Sequence, residues 1–144
     1  MATSNAATNY LERRLLHFLF KNNSLSFSSP GDSIYVGLCT AVSAAETGSV
    51  TEASVGGYAR QQVAAASWTT IGADSTDTQT AKNTSAIEFP AKTDSGNVTI
   101  THVIIADASS SGNILFVGAL DASKTLAQND IFRINATNLS IELK

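Results

Sequence analysis

The stretch Asn97–Leu120, NVTITHVIIADASSSGNILFVGAL, decides the fold class. Two runs rich in β-branched residues flank Asp107-Ala108-Ser109-Ser110-Ser111-Gly112, the pattern of a β-hairpin closed by a short polar loop. Side chains alternate along an extended chain. This predicts Val98, Ile100, His102 and Ile104 on one face, with Thr99, Thr101, Val103 and Ile105 on the other. The second run, Ile114 to Leu120, is apolar on both faces, which predicts cover on both sides. A hairpin of this composition is the centre of a core, and by itself it carries no chemistry.

Outward from the hairpin, five further segments read as strands: Ser33–Cys39, Tyr58–Ala64, Thr84–Phe89, Asp130–Ile134 and Asn138–Leu143. The last alternates Leu139, Ile141 and Leu143 against Asn138, Ser140 and Glu142. Between them lie polar, glycine-containing connections at 40–57 and 67–82. The count is about seven strands, which predicts a mainly β protein built as an antiparallel β-sandwich or flattened barrel. No internal repeat or second apolar core divides the chain, so residues 9–144 read as one domain preceded by an arm, 1–8.

The arm is weakly hydrophobic and is expected to be disordered unless something binds it. A helix is expected over 9–22, with Asn9 as N-cap and Glu12 three residues on, as in a capping box. Leu11, Leu15, Phe18 and Leu19 form its apolar stripe, widened by Leu16 and Phe20. So short a helix is marginal alone in water. Its stripe is wide enough to touch both its own sheet and a second protomer, so those four residues are candidate interface residues.

The chain has 144 residues, is 43% hydrophobic and only 15% charged, against about a quarter charged in ordinary soluble domains. A net charge of −3 and a pI near 5.2 disfavour nucleic acid or an anionic membrane as partner, since both call for a basic patch. Arg13-Arg14 is the only adjacent basic pair. The first residues, MATSNAATN, lack the basic start and apolar middle of a signal peptide. No run approaches the roughly 20 apolar residues of a membrane span. One cysteine, Cys39, excludes an internal disulfide and reads as a small buried hydrophobe.

Catalytic and metal constellations are sparse. His102 shares its expected face with Ile100 and Ile104, which predicts a hydrogen-bonded interior histidine rather than a member of a triad, and no G-x-S-x-G turn is present. His17 sits beside Phe18 on the helix as a boundary residue. Two distant histidines do not make a metal site. Asp74-Ser75-Thr76-Asp77 departs from the EF-hand spacing and reads as a solvated turn. No cofactor is expected. Gly56-Gly57-Tyr58-Ala59-Arg60 is the best contact candidate: a sharp turn followed by Tyr58 and Arg60 on one strand face, residue types enriched at interface hot spots. The competing reading pairs Arg60 inside the domain. Trp68 either plugs one end of the sandwich or stacks on a sugar.

Several short strings carry a family resemblance. They are Thr101-His102, Ile105, Asp107-Ala108, Gly112-Asn113, Leu115 and Gly118-Ala119-Leu120, together with Tyr35-Val36-Gly37-Leu38, Gly56–Arg60 and Ile87-Glu88-Phe89-Pro90-Ala91. Tyr10-Leu11-Glu12, Lys124-Thr125-Leu126, Asn129-Asp130 and Leu139–Leu143 extend the match. In order and over most of residues 10–143, the chain resembles a family of small tailed-bacteriophage virion proteins. These are often labelled tail fibre proteins, and some relatives act as capsid decoration proteins. The segment 67–86 and the arm 1–8 match nothing in that pattern.

The resemblance implies a non-enzymatic structural protein of the virion, assembled in the bacterial host cytoplasm. The mechanism expected is assembly: a homo-oligomer, a trimer by expectation, presents its helices, arms and loops to the major capsid protein or to tail or neck proteins. The reading from a different class is a lectin-like module that contacts host glycan through Trp68 and the Asp74–Asp77 loop.

Overall fold

The computed structural model describes residues 5–21, 34–69 and 79–143. The elements run β1 (Ala6–Ala7), α1 (Asn9–Lys21), β2 (Tyr35–Ala44), β3 (Ser49–Glu52), β4 (Gln61–Gln62), a 3₁₀ turn at Ala65–Ser67, β5 (Gln79–Lys82), β6 (Ile87–Glu88), β7 (Val98–Ala106), β8 (Ile114–Leu126), β9 (Arg133–Ile134) and β10 (Ser140–Leu143). A six-stranded sheet has the order β1-β8-β7-β2-β3, with β4 also on β2. Two antiparallel ribbons, β5–β10 and β6–β9, form the second layer. The protein is mainly β, antiparallel and sandwich-like, with one helix near the N-terminus.

The β7–β8 hairpin lies between β1 and β2, as its composition requires. Val36, Leu38, Ile100 and Val103 on one face of the sheet meet Ile87, Phe89, Phe132, Ile134 and Leu139 from the ribbon side, and this is the main core. Phe89 stacks on Tyr58 with centroids 6.3 Å apart and meets Phe132 edge-on at 5.9 Å. On the opposite face Cys39, Ala45, Ile104 and Val117 make a smaller cluster.

Four sequence expectations need correction. The alternation of β7 breaks, because the β7–β8 register shifts between Ile100 and His102. Ile100 therefore joins Val103 in the main core, while Ile104 belongs to the smaller cluster. His102 is half-buried rather than interior, with Nδ1 2.8 Å from Thr101 Oγ1. Part of the arm is ordered: Ala6 and Ala7 pair with Val117 and Phe116 of β8. The helix cap is Thr8 rather than Asn9. Its Oγ1 accepts from Leu11 N at 3.4 Å and donates to Ile114 O at 2.6 Å, and burial of the residue is nearly complete. Residues 1–4 and the Asp74–Asp77 turn lie outside the described residues.

Candidate functional site

The Gly56–Arg60 turn folds inward. Gly57 takes φ +84°, and a Cβ there would lie 2.5 Å from Ala91 O, so the close approach to the Ile87–Ala91 segment requires glycine. Tyr58 then reaches over β2. Its hydroxyl donates to Glu52 Oε1 at 2.6 Å and accepts from Leu38 N at 3.0 Å. Gly37 leaves the room for it, since a Cβ at that position would stand 2.9 Å from both the Tyr58 hydroxyl and Ile104 Cγ1.

Arg60 grips Glu52 with two bonds, Nε to Oε1 and Nη2 to Oε2, each 2.8 Å. Its Nη1 donates to Ala108 O and Ser111 O, also at 2.8 Å, which ties the β7–β8 loop to β3. That loop is closed from within by Asp107, whose carboxylate accepts from Asn113 N and Nδ2.

The electrostatics follow from this packing. Burial pushes the Glu52 carboxyl up, but hydrogen bonds from Arg60 and Tyr58 and the guanidinium charge outweigh it and hold the group below its usual range. The Glu52 hydrogen bond raises Arg60 further, against the effect of burial. Burial pushes the Tyr58 phenol up and raises Cys39 to about 12, so the thiol stays protonated and inert. Burial lowers His102.

Arg60, whose side chain is 5% exposed, has its donors engaged inside the body. The intradomain pairing is thus the arrangement found, and the Tyr58 hydroxyl is likewise occupied. Trp68 is partly buried against the main core and bridges to Asn83. Sequence reasoning missed Glu52, which lies in what read as a plain connection. It also missed Lys92, whose buried Nζ donates to Asp94 O, Ser95 O and Gly96 O and staples the loop before β7. Among the described residues no three His, Cys, Asp or Glu side chains converge as metal ligands. Among them, too, no helix is long and apolar enough to cross a membrane.

The other stripe candidates behave oppositely. None of the residues of α1 is buried. Tyr10, Leu11, Arg14 and His17 are half-buried, and Arg14 stands 5.3 Å from the Tyr10 ring centroid. At about 100° per residue those four share one side of the helix. The apolar stripe is turned outward: Leu15 is 45% exposed, Leu16 55%, Phe18 48%, Leu19 59% and Phe20 76%. Amphipathic helices of isolated domains do the reverse. What anchors α1 is its start, where Thr8 N donates to Leu115 O and Asn9 N to Glu46 O.

The body thus bonds its polar groups internally and bears a helix with its apolar side outward. The chain belongs to the family described as Podophage GP4 fiber I protein gp80, which matches residues 6–142. It is accordingly a phage fibre-type structural protein and a component of the virion. No curated protein matches the chain.

Several of the strings that carried the resemblance meet in one corner of this fold. Gly37, Tyr58, Arg60, Phe89, Ala91 and the Asp107–Asn113 loop touch one another there. They tie β2, β3 and the hairpin loop together.

Proposed function

We propose that the protein is a homotrimeric, non-enzymatic module of the phage tail fibre apparatus, assembled through the outward stripe of α1. The observation that supports this is the exposure of Leu15, Leu16, Phe18, Leu19 and Phe20 along one helix. Contiguous apolar surface of this kind is stable in water when another chain covers it. The fibre family favours a tail position over head decoration, and with Trp68 packed against the core nothing favours the glycan-binding alternative.

Quantitative mass spectrometry of purified virions, normalised to the major capsid protein, tests the position; native mass spectrometry of the purified chain tests the assembly. The expected results are a few tens of copies per particle, in a multiple of three, and a trimeric mass. Copies in the hundreds would place the protein on the head. A monomer at tens of micromolar would remove the homotrimer.

A further inference from the structure

A second surface that no described residue covers lies along β8, beginning beside β1. A groove of about 850 Å³ runs between β8 and the β9–β10 side of the second layer, with Phe116, Gly118 and Leu120 on one wall and Ile134, Leu139 and Ile141 on the other. The chain's own helix is led away from it. β1 is antiparallel to β8, so the chain passes from Val117 toward Ile114 as it enters α1, while the groove extends the other way to Lys124.

Resting on the reading of a homo-oligomer, we infer that the groove of each copy receives the apolar stripe of α1 from the next copy. The dimensions agree. A 13-residue helix is about 20 Å long. The groove wall from Phe116 to Lys124 lies against Ile105 to Ile100 of β7, about 17 Å of strand because β8 bulges there.

Charge points the same way. Arg13, Arg14 and Lys21 give α1 three bases against the single acid Glu12, which leaves six bases against eleven acids on the rest of the chain. At the groove itself Asp121 and Glu142 stand beside Lys124 and Arg133, the last paired with Glu88 at 3.6 Å, so the attraction comes from the body as a whole. A basic helix is attracted to an acidic body, whereas two such helices packed on each other bring like charges together. Helix-into-groove contact is heterologous, and such a contact closes into a ring of three when its rotation is a third of a turn, as the proposed trimer requires.

Mixing separately purified Leu19→Cys and Ala122→Cys chains under mild oxidation tests this, because Ala122 is exposed at the groove and the native Cys39 is buried. The expected product is a disulfide-linked pair containing one of each variant. Leu19→Cys homodimers alone, or no cross-link, would overturn the docking. In parallel, Ala122→Arg should shift the native mass from trimer to monomer without changing the circular dichroism spectrum. A trimer that survives Ala122→Arg but dissociates on Leu19→Asp overturns the groove contact and leaves the oligomer standing. A monomeric unsubstituted chain removes both.

Discussion

The corner around Arg60 and the helix α1 use their side chains in opposite ways. In the corner, a guanidinium, a carboxylate, a phenol and three backbone groups complete one another's hydrogen bonds within a single chain. On α1, five large apolar side chains face water. The corner closes on itself, whereas the apolar side of the helix stays exposed. Residues of interface type, Tyr and Arg, thus serve folding here, while the leucines and phenylalanines of α1 stay at the surface.

The comparison is broken most severely by Arg60→Ala. This leaves Glu52 in a partly buried site without its counter-charge and strips Ala108 O and Ser111 O of a donor. The expected loss is about 3 kcal/mol, roughly 10 °C in Tm by thermal unfolding. A Tm within a degree or two of the parent would show that the corner is not what holds β3 to the hairpin loop. Gly37→Ala should cost somewhat less, about 2 kcal/mol. Its added methyl meets the Tyr58 hydroxyl and Ile104 at 2.9 Å and forces the network to shift.

Acid sharpens the same point. Glu52 is depressed in the folded state from its ordinary 4.5. Its contribution is therefore complete above that value and is lost as the pH falls below it, through the folded pKa. Unfolding free energies measured between pH 6 and pH 3 should decline more steeply at the acid end for the parent than for Glu52→Gln. Parallel curves would mean that the carboxylate is not held by its partners.

The corner and the helix were unequally legible in the sequence. The hairpin was readable because β-branched alternation and a Gly-containing loop are local signals, and both strands lie where expected, although β8 runs on to Leu126. The strand β3 was not, because Ser49-Val50-Thr51-Glu52 is too short for periodicity and is fixed by pairing with β2. Glu52 as the partner of Arg60 was invisible for the same reason. The face swap at Thr101 was hidden as well, since a bulge leaves no mark in composition. The helix stripe was plain at its 3.6-residue spacing. Its outward orientation was not, because an amphipathic pattern says which side is apolar and not what that side meets. Thr8 outcompeted Asn9 as cap because the β1 pairing carries the chain to Leu115 and sets Thr8 down at the turn of the hairpin.

The link between the two regions is that cap, and Thr8→Ala should have a moderate effect of about 1–2 kcal/mol. It removes the bond to Leu11 N and the one to Ile114 O. If the regions are as separate as their packing indicates, the loss appears as reduced helicity in the far ultraviolet with the near-ultraviolet signal of the aromatic core intact. Simultaneous loss of both signals would make helix and body one cooperative unit.

The smallest effect on folding belongs to Leu15→Asp, and it is the most telling. Leu15 is 45% exposed in the single chain, so the change costs the isolated chain only some helix propensity and partial apolar contact, about 0.5–1 kcal/mol. Assembly is a different matter, since the same carboxylate would be driven into an apolar contact between chains. Mass action separates the two. A chain stabilised by association has a Tm that rises with protein concentration, and one that stands alone does not. The parent Tm should therefore climb across a hundredfold range of concentration, while that of Leu15→Asp stays flat, close to the parent value at the dilute end. A parent Tm independent of concentration would mean that the stripe has no second chain to meet, and that its outward turn needs another cause.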